Sequence, residues 1–108
     1  MADTLKVLGQ SAPPATTLTT LYTVPSSTSA ACSTIVVCNR GTAGTFRIAV
    51  RPAGASIANQ HYLYYDTAIA ANETLCATIG ISLATTDVVS VYASSADMSF
   101  SLFGVERT

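Results

Sequence analysis

At 108 residues, 49% hydrophobic and only 10% charged, the chain holds one domain's worth of sequence with enough apolar material for a single core. That balance argues against disorder, which needs many charges and few apolar residues. A net charge of −1 with one lysine, Lys6, leaves nothing to grip a nucleic-acid backbone. The polar remainder is hydroxylic, with 28 Ser and Thr residues, so the surface carries little ionic repulsion. Surfaces of that kind suit a chain covered by partners or held in an assembly.

Taken in order, Met1-Ala2-Asp3-Thr4 lacks the basic region and apolar run of a signal peptide. No stretch reaches about 18 uninterrupted apolar residues, so no transmembrane helix is expected. Residues 1–14 read as an N-terminal arm or short edge strand, because Pro13-Pro14 cannot join a central ladder. Residues 15–108 read as the folded domain. Thr16 to Val24 forms a Thr-rich strand stopped by Pro25 and the hydroxyl run after it.

The stretch from Ala31 to Pro52 is the expected centre of the fold: two strands joined by a turn at Asn39–Gly44. Its first strand is apolar at both parities, with Ile35 and Val37 on one side and Cys32, Val36 and Cys38 on the other. Such a strand is expected to be covered on both faces. In the second, Phe46, Ile48 and Val50 alternate with Arg47, Ala49 and Arg51, so one side points inward.

His61 to Asp66 is a tyrosine-rich strand with Tyr62 and Tyr64 on one face and Leu63 and Tyr65 on the other. A turn at Asn72-Glu73 leads to a strand over residues 74–83, in which Gly80 marks a bulge or a close backbone approach. Strands over 88–93 and 98–105 complete the chain, the last alternating Met98, Phe100 and Leu102 with Ser99 and Ser101. About eight strands at short spacing, with no helix, predict an all-β antiparallel sandwich of jelly-roll type.

The chemistry-bearing residues do not assemble into a motif. His61 is the sole histidine and heads the tyrosine strand, which suits a rim position better than a triad. Three cysteines without C-x-x-C spacing do not make a zinc set. Cys32 and Cys38 lie six residues apart in one strand, roughly 20 Å, so they cannot pair with each other. The expectation is small buried thiols, with a disulfide from Cys76 to one of them as the alternative. The carboxylates fall mainly in turns. No cofactor, metal or catalytic residue is expected, and the chain reads as a non-enzyme.

Protein contacts are the remaining use for its surface. Arg40, Arg47 and Arg51 are candidates to pair with carboxylates on a partner, Arg47 and Arg51 standing about 13 Å apart on one face. Tyr62 and Tyr64 are candidate interface anchors, as are Leu5, Val7 and Leu8 beside Pro13-Pro14.

The phrases TTLYTVP, STIVVCNRG, TFRIAVRPAG, HYLYYD, the Asn72-Glu73-Thr74 turn into TIGISLATTDVVSVYASS, and SFSLFGVE run through nearly the whole chain. In them the sequence resembles small virion structural proteins of tailed bacteriophages, notably those of cyanobacterial and marine phages. The resemblance implies a β-sandwich on the outside of the particle, made in the host cytoplasm. The implied role is capsid decoration, or cement, by a homotrimer that binds the major capsid protein on the head surface. A tail, baseplate or fibre component is the nearest alternative. From a different class, a carbohydrate-binding module would use Tyr62, Tyr64 and Tyr92 as its platform.

Overall fold

The computed structural model describes residues 2–108. Nine strands form two antiparallel sheets packed face to face. They are β1 (Asp3–Ser11), β2 (Thr19–Thr23), β3 (Ser29–Asn39), β4 (Gly44–Arg51), β5 (Tyr62–Ile69), β6 (Thr74–Ala77), β7 (Ile81–Leu83), β8 (Val88–Ala93) and β9 (Met98–Arg107). One sheet runs β1-β9-β3-β6, with β7 also paired to β3, and the other runs β2-β8-β4-β5. Counting β6 and β7 as one interrupted strand, this is the eight-stranded jelly-roll order, with the first strand beside the last.

Between the sheets the inward alternates interdigitate. Phe46, Ile48, Val89 and Val91 come from one side, and Ile35, Val37, Phe100 and Leu102 from the other, all essentially without solvent contact. Phe46 meets Phe100 edge-on across the interface, with ring centroids 6.3 Å apart. Each such side chain contributes about 1.5–3 kcal/mol by leaving water.

The doubly covered strand is β8, and not β3 as its composition suggested. Along β8 even the outward Ser90 is buried, its hydroxyl accepting from Arg51 Nε at 3.1 Å. β3 is covered on one side only. A bulge at Ser33 inserts one residue between the pairs Cys32–Gly104 and Thr34–Phe103. Inward positions therefore switch from Ala30 and Cys32 to Ile35 and Val37. Cys32 thus joins the core, while Val36 and Cys38 face outward and half-exposed.

Other boundaries moved for equally local reasons. The strand expected over 74–83 is broken between β6 and β7, and Gly80 lies in that break. A Cβ there would meet nothing within 4 Å, so Gly80 is neither a ladder bulge nor a close approach. Close backbone approaches are instead at Gly9 and Gly104, where a Cβ would collide with the Leu21 and Ala31 carbonyl oxygens. The N-terminal segment is an edge strand: residues 3–11 pair along β9. Met1 lies outside the described residues.

Candidate functional site

Two outer sheet faces remain after the core is filled, and they differ in chemistry. On the β1-β9-β3-β6 sheet the register builds cross-strand rows. Leu5 lies opposite Val105, and Val105 opposite Ala31; Val7 lies opposite Phe103, and Phe103 opposite Thr34. A third row runs Gln10, Ser101, Val36 and Cys76; a fourth runs Ser99, Cys38 and Thr74. Charge in these rows is confined to one end, where Arg107 Nε donates to Asp3 Oδ1 at 2.8 Å. That pairing holds the Asp3 carboxyl below its ordinary range. Leu5 is 86% exposed and Val7 48%.

Of the three N-terminal residues expected at an interface, only Leu5 and Val7 reach this face. Leu8 is buried, because it has the opposite parity to Leu5 and Val7 and so faces the core. Phe103 and Val105 were missed, although the signal was present. In SFSLFGV they occupy the parity of Ser99 and Ser101, so the strand is apolar on both sides after Leu102. Near the charged end a depression of about 290 Å³ is lined by Ala31, Ser82, Val105 and Arg107, among others.

The outer face of β2-β8-β4-β5 is organised around Arg47. Its guanidinium carbon lies 4.3 Å from the centroid of the Tyr65 ring and 4.3 Å from that of Tyr92. Nε and Nη2 donate to the two Asp66 carboxylate oxygens at 2.7 and 3.3 Å, which raises the Arg47 pKa still further. Arg47 is thus engaged within its own chain. Arg51 likewise donates to Ser90 Oγ and to the Gly54 and Ala55 carbonyls. Arg40 lies outside this group, its Nη2 donating to the Ala96 carbonyl at 3.3 Å.

The tyrosines are sorted differently from strict alternation. Register shifts in β5 place Tyr62 opposite Ala49 and Tyr64 opposite Ile48. Tyr64 therefore turns inward and packs on Phe46 at 5.8 Å. Asp66 takes a left-handed φ of 47° at the second shift, and Tyr65 emerges beside Tyr62, the rings meeting edge-on at 4.8 Å. The outward aromatic set is Tyr62, Tyr65 and Tyr92. Period 2 could not reveal this, because two extra residues in β5 reset the parity.

Side-chain bonds fix the ends of the sandwich. Asn39, read from sequence only as a turn residue, is buried. Its Nδ2 donates to the Thr42 and Ala70 carbonyls at 2.8 and 3.1 Å, and its Oδ1 accepts from Gly41 N. Tyr22 donates to Glu106 Oε2 at 2.6 Å, joining the two sheets at the other end. Burial, then this bond, pushes the Tyr22 hydroxyl up, while the same bond and Lys6 hold Glu106 down. His61 is buried rather than on the rim, with Nδ1 accepting from Ala58 N at 3.0 Å.

All three cysteines are free thiols. Cys32 is pushed up to about 11 by burial. Among the described residues no three of His, Cys, Asp and Glu lie close enough together to hold a metal ion. Among them, too, no helix is long and apolar enough to cross a membrane.

Fold and faces together define a jelly-roll sandwich with one neutral outer sheet and one aromatic, ion-paired outer sheet. No family model, curated protein or solved structure matches the chain.

Proposed function

We propose that this chain is a structural protein of a tailed-bacteriophage particle that decorates and cements the capsid head. It attaches through the neutral outer face of the β1-β9-β3-β6 sheet. The observation that carries this reading is the row chemistry of that face. Leu5, Val7, Phe103, Val105 and Val36 stand outward with no charge among them. Leaving such surface in water is unfavourable, and burying it against copies of the chain and the major capsid protein removes the cost. Closed symmetry, as in a trimer, hides such patches without open-ended growth. The resemblance of its strand and turn phrases to phage virion proteins points the same way.

Deleting residues 2–14 is a poor test, because β1 pairs along most of β9 and its loss would uncover an inner strand. Substituting Leu5→Asp and Val7→Asp together places charge on the face and leaves the core alone. We expect particle occupancy, measured by quantitative mass spectrometry on purified particles, to fall at least about tenfold. The melting temperature of the free protein stays put. Unchanged occupancy would overturn the attachment face. A copy number of a few dozen or fewer, with density on the tail in electron micrographs, would move the protein from head to tail.

A further inference from the structure

The second outer face carries a feature that attachment through the first does not use. Beside the Arg47 stack, Asn59, Tyr62 and Tyr65 line an open groove of about 500 Å³. Its walls are two tyrosine rings 81° apart. Tyr65 is 57% exposed, yet it is braced by the Arg47 guanidinium. The Asn59 turn is pinned by the bond from Ala58 N to His61 Nδ1 at 3.0 Å. The groove is therefore built in advance of any ligand.

We propose that this corner binds a neutral saccharide. A pyranose ring offers apolar C–H faces and a rim of hydroxyls, and the corner offers the complement of both. One aromatic face takes the sugar by stacking while the other ring, nearly at right angles, walls its side, and these two-torsion side chains lose little entropy in doing so. At the rim the Asn59 amide both donates and accepts. The volume lies within the range of small-ligand sites, about 300–1,000 Å³.

Charge selects against an anionic ligand, because Arg47 already spends two donors on Asp66. A polyproline peptide also stacks on tyrosines, but proline carries no N–H for the Asn59 amide oxygen.

The test is an NMR titration of the free, intact protein with cellohexaose, maltohexaose and the N-acetylglucosamine hexamer. Oligoproline and a heparin hexasaccharide serve as rivals. We expect at least one neutral hexasaccharide to bind saturably, with a Kd of roughly 10 μM to 1 mM, shifting the Tyr62, Tyr65 and Asn59 resonances. Tyr65→Ala and Asn59→Ala each weaken it, the first at least about tenfold. Leu63→Ala, on the same strand but outside the groove, leaves binding unchanged.

The proposal fails if no neutral hexasaccharide shifts those resonances at about 10 mM. It fails equally if oligoproline or heparin binds more tightly, or if a Tyr65→Ala protein with an unaltered melting curve binds as well as the parent. Since the titration uses free protein, its failure leaves the attachment reading standing.

Discussion

The two outer faces of this sandwich are built by opposite means. The β1-β9-β3-β6 face is held by backbone pairing, and its outward side chains contribute little to the fold that presents them. Leu5 and Val7 stand in solvent at its edge. The β2-β8-β4-β5 face is tied by side chains: Arg47 to Asp66, Tyr65 and Tyr92, and Arg51 to Ser90 and the following loop. The difference teaches that low charge alone does not make an interface. A face becomes available to partners when its apolar groups have no work inside the chain.

Substitutions can break that contrast, and the largest effect is expected on the backbone-built sheet. Gly104→Ala drives a Cβ into the Ala31 carbonyl, on the strand that links β1 to β3. We expect a loss of about 3 kcal/mol in urea unfolding. Gly80→Ala, with open space around it, changes stability by no more than about 0.5 kcal/mol. Equal losses at the two glycines would dismiss backbone proximity as the cause.

Next in size is Asn39, where the ends of both sheets are gathered. Asn39→Ala removes the partner of the Thr42 and Ala70 carbonyls and is expected to cost about 2 kcal/mol. Asn39→Asp keeps the acceptor for Gly41 N but loses both donors, so a comparable loss there assigns the effect to the donors. The measurement is again the urea midpoint.

A smaller effect is expected on the side-chain-tied face. Arg47→Met retains the stem that packs on the tyrosines but removes the ion pair and both ring contacts. Exposed pairs and cation–ring contacts of this kind are worth about 1 kcal/mol. Added sodium chloride should narrow the difference between parent and variant, since salt screens the pair. Attachment through the neutral face should be insensitive to the same salt.

The smallest effects come with pH, at the Tyr22–Glu106–Lys6 end where the sheets are joined. Glu106 is held below its ordinary 4.5 by the Tyr22 hydroxyl and then Lys6, and Asp3 below 3.8 by Arg107. Folding lowers their proton affinity, so their contribution is complete above those values and is lost as pH falls through the depressed ones. The opposite sign applies to Cys32, raised by burial from 9.0 to about 11, and to Tyr22, raised above 10.0 by burial and Glu106. Their contribution is complete below pH 9 and declines as pH climbs through those raised values. Melting temperatures against pH should show both limbs, and Tyr22→Phe should flatten the acid one.

The sequence by itself determined the class of fold. Period-2 alternation in residues 46–51 and 98–102, turn chemistry at Asn72, and Pro13-Pro14 after the first strand define a strand-only sandwich. These are local signals, readable wherever a strand stays in phase with its own pleat. Which residues share a face was decided by tertiary structure. Single extra residues at Ser33, at Leu8 and within β5 each reverse the parity of the residues beyond them, and only pairing with a distant strand fixes where they fall. That is why Cys32 joined the core, and why Tyr64 turned inward and Tyr65 outward. Alternation shows that a strand has two sides; the neighbouring strand decides which residues lie on each, because pairing in register outweighs the preference of any single side chain.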